Sequence, residues 1–161
     1  MKLAEALILR ADTQKRIHQL RERLARSARV QEGEQPPENP QDLFAELERA
    51  LDQLTALVRQ INRTNAQTLF SEGVTLTDAL AERDRLKMER ELLAGTIQDA
   101  TGTSPNQMMY NYNFRVTHSE IKFLSTISIA GTQRRVNDLA RRHRELDSRI
   151  QEMNWSVDLL E

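Results

Sequence analysis

The sequence has no cysteine, and its 161 residues include only four prolines, five glycines and 4% aromatic side chains. Without cysteine there are no disulfides, no thiolate metal sites and no thiol nucleophile. So few rings suit neither a β-sandwich core nor a sugar-stacking site, whereas helices can pack on Leu and Ala. No apolar run is long enough to span a bilayer. The opening Met1-Lys2-Leu3-Ala4-Glu5-Ala6-Leu7 meets an acid too early for a secretory signal, so a soluble cytoplasmic protein is expected. Neither sign of charge prevails: 23 Lys and Arg face 24 Asp and Glu, a formal net charge of −1. That balance gives no global attraction to nucleic acid or to an anionic membrane.

The motifs of site chemistry are missing as well. A di-iron helical bundle needs Glu-x-x-His pairs, but the residues three before His18, His118 and His143 are Lys15, Arg115 and Ala140. No His-Glu-x-x-His spacing occurs, and the scattered glycines form no phosphate loop. No catalytic residue, metal or cofactor is expected.

What is present is helical periodicity. Residues from about Lys2 to Arg29 lack Gly and Pro and carry Leu3, Leu7, Ile17, Leu20 and Leu24 on one stripe, interrupted at Arg10 and Thr13. Val30 to Pro40 reads as a linker, because Gly33, Pro36-Pro37 and Asn39-Pro40 oppose helix. Asn39 suits a cap and Pro40 a first helical position. Leu47, Leu51, Leu54, Val58 and Ile61 then form a seam, which Asn62-Arg63-Thr64-Asn65 ends in a turn. A hairpin around Ser71-Glu72-Gly73 leads into a third helix, with Leu76, Leu80, Leu86, Leu93 and Ile97 inward. Residues 101–117 read as an irregular loop. Period two from Ile121 to Ile129 predicts a strand, so that the β element joins Thr68–Leu76 and Lys122–Ser128. The last helix, Ile129 to Leu160, carries Val136, Leu139, His143, Leu146, Ile150, Met153, Val157 and Leu160.

The expected fold is mainly α, an antiparallel long-helix bundle or pair of helical hairpins in one domain, with a small β element. Residues 1–30 hold eight Lys or Arg against three acids, and residues 31–60 seven acids against two Arg. Opposite signs on either side of a short linker favour an antiparallel pair, within the chain or between subunits. Helices this long outrun what one chain covers, and homo-oligomerisation is expected.

Two groups of residues resist a packing explanation. Asn62, Arg63, Thr64 and Asn65 read first as a helix end and turn. With Arg83, Asp84 and Glu120 they could form a polar cluster, structural or small-anion binding. The second group comprises interface candidates: Tyr110, Tyr112 and Phe114 in the irregular loop, His143 on an apolar seam, and Trp155 near the carboxyl end.

Several segments carry a resemblance: Lys2-Leu3-Ala4-Glu5-Ala6-Leu7 with Arg10-Ala11-Asp12, Val30-Gln31-Glu32-Gly33-Glu34, and Ile61-Asn62-Arg63-Thr64-Asn65. Thr75-Leu76-Thr77-Asp78-Ala79-Leu80 with Arg83-Asp84, Ser119-Glu120-Ile121-Lys122-Phe123, and Asn154-Trp155 extend it over nearly the whole chain. Together they resemble the septicolysin-like family of small bacterial helical proteins. The resemblance implies no established activity, although the label suggests a cytolysin. The sequence thus ranks a non-enzymatic oligomeric scaffold or interaction protein first. A small-anion or nucleic-acid binder using Arg63 and Arg83, or the basic face of helix one, ranks second. An enzyme is third and a cytolysin last.

Overall fold

A computed structural model describes residues 1–103 and 124–161. The order of elements is α1 (Leu3–Ser27), α2 (Pro40–Gln67), β1 (Leu69–Ser71), β2 (Val74–Thr75), α3 (Leu76–Thr101) and α4 (Ile129–Ser156). The architecture is mainly helical, with helix packed on helix and one small two-stranded sheet. The chain divides into two compact units, Met1–Thr77 with Gln151–Glu161, and Asp78–Ile150.

In the first unit α1 and α2 pack antiparallel. Arg16 pairs with Glu46 at 2.8 Å, while Arg23, a turn or two further on, pairs with the earlier Glu38. Leu20, Leu43 and Ala50 form the buried centre, flanked by Ile17, Leu24 and Leu47. The buried positions recur every seven residues, as Ala6, Thr13, Leu20 and Ser27 on α1 and as Leu43, Ala50, Leu57 and Thr64 on α2. The α2 seam therefore lies beside the one expected from Leu47, Leu51, Leu54 and Val58, and Leu51 is 45% exposed. Small side chains explain the shift. Ala6, Thr13 and Ala50 let the two backbones approach, and a pattern read from large apolar residues alone passes over them.

Local chemistry sets the boundaries. The Asn39 side chain accepts from Gln41 N–H at 3.0 Å, and Pro40 stands at the start of α2. Residues 28–39 are non-helical. At its far end α2 does not stop at Asn62–Asn65 but runs through them to Gln67. Ile61 and Thr64 continue its buried stripe there, and burial outweighs the turn preference of the asparagines. The hairpin forms where expected, pairing Leu69 with Thr75 and Ser71 with Val74 across a bulge, with Gly73 at φ +71°.

In the second unit α3 and α4 run antiparallel, since Glu82 pairs with Arg142 and Glu89 with Arg135. Ala79 and Leu86 on α3 and Leu139 and Ile150 on α4 are buried. Two expectations for the carboxyl-terminal third are corrected. Leu124–Ser128 is not a strand, while Ile121, Lys122 and Phe123 lie outside the described residues. Among the described residues no strand pairs with 124–128, and Ser128 instead caps α4, its Oγ accepting from Gly131 N–H at 3.1 Å. The last helix ends at Ser156, short of Leu160, because the residues beyond it pair with the amino terminus. The irregular loop expected over 101–117 lies almost wholly outside the described residues. Among those described, no helix is long and apolar enough to cross a membrane.

Candidate functional site

Arg63 and Thr64 hold the carboxyl end of the chain. Thr64 is fully buried; its hydroxyl donates to the Gln60 carbonyl at 2.8 Å and accepts from Leu160 N–H at 3.0 Å. Arg63 Nη1 donates to the main-chain carbonyl of Glu161. The same tail bridges to the amino terminus through Leu3 N–H to Val157 O at 3.0 Å and Leu159 N–H to Met1 O at 2.9 Å. Lys2 Nζ closes the junction, 2.9 Å from Asp158 and 3.0 Å from the Ser156 carbonyl. The ammonium of Lys2 holds the Asp158 carboxyl below its usual range. Asn154, 6% exposed, lies in the last helical turns leading into this junction. Asn62 is exposed and Asn65 half-buried, so two of the four turn candidates belong to the junction by direct contact.

Arg83 and Asp84 fall in the other unit. The Arg83 guanidinium donates from Nε and Nη2 to Asp84 Oδ1 at 3.0 and 2.8 Å, with Nη1 3.6 Å from Asp147. It is thus a carboxylate that pairs Arg83, with the side chain 27% exposed. Glu120 lies outside the described residues. Around this pair runs a ladder with a seven-residue period. Glu82 lies 3.7 Å from Arg142, Glu89 lies 2.5 Å from Arg135, and Arg85 bonds to both carboxylates at 2.7 Å. Hydrogen bonds from Arg85 and Arg135 depress Glu82 and Glu89 respectively, and the carboxylates in turn raise Arg85. These charges saturate one another.

The basic excess of α1 is partly used inside the chain. Arg16 and Arg23 bind Glu46 and Glu38, and hydrogen bonds from the arginines hold both carboxyls below their usual range. Arg26 and Arg29, at the end of α1, instead line an open depression of ≈ 420 Å³ with Gln31, Glu34 and Pro37. Of the interface candidates, His143 is half-buried on α4 and Trp155 is 57% exposed. Tyr110, Tyr112 and Phe114 lie outside the described residues. Among the described residues no group of His, Asp and Glu is arranged to hold a metal ion.

The fold and its polar clusters define a protein of helical hairpins whose strongest polar networks tie the chain to itself. Residues 10–159 match a family of unknown function, DUF6847, and the chain belongs to that family. It is similar to a functionally unknown conserved protein from Corynebacterium diphtheriae known from its crystal structure, at 39% identity, with 99% of each chain covered and a TM-score of 0.87. No curated protein matches the chain. These findings overturn the septicolysin-like resemblance: the segments that suggested it lie largely within the matched span of DUF6847. The cytolysin reading rested on that label alone and falls with it.

The tie between the two ends of the chain was not found from sequence. It joins residues 96 positions apart at Thr64 and Leu160, and nothing local to either marks the other.

Proposed function

We propose that this chain is a non-enzymatic helical interaction protein of the bacterial cytoplasm that self-associates as a scaffold. The observation that carries the reading is the set of large apolar side chains left on helical surfaces. Phe44 is 50% exposed, Met88 63%, Leu92 67% and Trp155 57%. Single exposed apolar residues are ordinary, but neighbours one helical turn apart, such as Met88 and Leu92, mark a contact surface. Light scattering at micromolar concentration tests it. A mass that is a multiple of 18.6 kDa is expected, and a monomer rejects the reading.

One observation favours a second reading, the binding of a small anion. Arg26 in the last turn of α1 and Arg29 just beyond it line the same depression, with Gln31 as a further donor. Arg63 and Arg83 support it less, since each is engaged within the chain. Titration calorimetry with inorganic phosphate tests the depression: binding lost on Arg29→Ala supports it, and absence of heat at millimolar phosphate rejects it. A gel shift with short DNA that weakens steeply with salt would extend this reading to nucleic acid.

A further inference from the structure

Four of the glycines have a local reason. Gly33, Gly73 and Gly102 adopt positive φ, and a Cβ at Gly131 would meet Ser128 Oγ at 3.0 Å. Gly95 is different. It lies inside α3 with helical neighbours on both sides, and a Cβ built there meets nothing within 4 Å. A glycine inside a helix costs about 1 kcal/mol relative to alanine, and no contact among the described residues accounts for it. Met88 and Leu92 occupy the same face of α3, on the side away from the buried Ala79 and Leu86. A small residue next to two large exposed ones is the relief into which another helix fits closely.

We infer that the α3 face bearing Met88, Leu92 and Gly95 docks a second copy of this chain, the two α3 helices running antiparallel; the inference rests on the self-association proposed above. Charge decides for a second copy over an unrelated partner. Lys87 and Glu91 flank the apolar face on one side, both exposed, and neither forms an ion pair among the described residues. In an antiparallel pair centred between Met88 and Leu92, each Met88 lies against the other copy's Leu92. Each Lys87 then comes beside the other copy's Glu91, so the surface complements itself. The opposite flank carries Arg85, already neutralised by Glu82 and Glu89, and brings no repulsion. Gly95 receives the Arg85 end of the other copy's helix, where a longer side chain would hold the two backbones apart.

Sedimentation equilibrium on the full chain, with circular dichroism to confirm folding, tests the face. Because Lys87, Glu91 and Gly95 all lie away from the buried face of α3, the variants keep their helix content. Gly95→Leu and Lys87→Glu are each expected to weaken association about tenfold or more. The double variant Lys87→Glu with Glu91→Lys restores it, as does mixing the Lys87→Glu chain with the Glu91→Lys chain. A wild-type monomer overturns both the self-association reading and this face. A wild-type oligomer that Gly95→Leu and Lys87→Glu leave intact, or a double swap that fails to restore association, overturns this face alone.

Discussion

Thr64 uses one hydroxyl twice, as a donor to its own helix and as an acceptor for the returning chain end. Valine has the same shape without the oxygen, so Thr64→Val takes from the part-buried Leu160 N–H its acceptor. That substitution is expected to cost about 1–3 kcal/mol, and Thr64→Ser much less, as read from thermal or urea unfolding. Arg83 behaves differently. Its partners Asp84 and Asp147 are 65% and 39% exposed, so water replaces the arginine when it is removed. Arg83→Met is therefore expected to cost less than about 1 kcal/mol. The sequence put Asp84 in the same candidate polar cluster as Arg83. It did not indicate Asp147, because that contact depends on how α4 returns.

At the scale of elements, the α1–α2 hairpin is built on alternation of large and small. Leu20, Leu43 and Ala50 are buried together at its centre. Leu20→Ala should lose about 2–5 kcal/mol, the cost of removing a buried leucine. Ala50→Leu should lose about 1–3 kcal/mol, because a tight helix pair cannot part to admit three further carbons without strain. Urea unfolding of both variants checks the pair; an Ala50→Leu protein as stable as the wild type would show that the helices are not in close contact there. The ends of α2 also contrast in how far sequence reached. Asn39-Pro40 was a legible start because capping needs only adjacent residues. The other end was not, since the buried Ile61 and Thr64 outweigh the turn preference of Asn62 and Asn65.

At the scale of the molecule, five carboxyls among the described residues sit below their usual values: Glu38, Glu46, Glu82, Glu89 and Asp158, each beside an arginine or lysine. A depressed carboxyl contributes stability that is complete above its ordinary value, 4.5 for glutamate and 3.8 for aspartate. That contribution is lost as the pH falls through the lower folded value. The melting temperature should hold steady with respect to these groups above about pH 5 and fall on further acidification. All five carboxylates are solvent-accessible, so the loss should shrink when salt is added. Melting curves across this range at two ionic strengths check both statements, and an acid response indifferent to salt would contradict them.

The sequence by itself determined the helices, the linker, the hairpin turn and the mainly α class, because each depends on residues within a few turns of one another. It also pointed to an antiparallel pairing of α1 and α2 through opposite charges, within the chain or between subunits, and the structure shows the pairing within the chain. Only the tertiary structure decided which stripe of α2 is buried, because that choice rests on small side chains fitting across a helix pair. It alone decided that Val157–Glu161 leaves the last helix to join the amino terminus. The Leu159-to-Met1 and Leu160-to-Thr64 bonds close loops spanning most of the chain, and a contact between such distant residues leaves no periodic trace in the residues that make it.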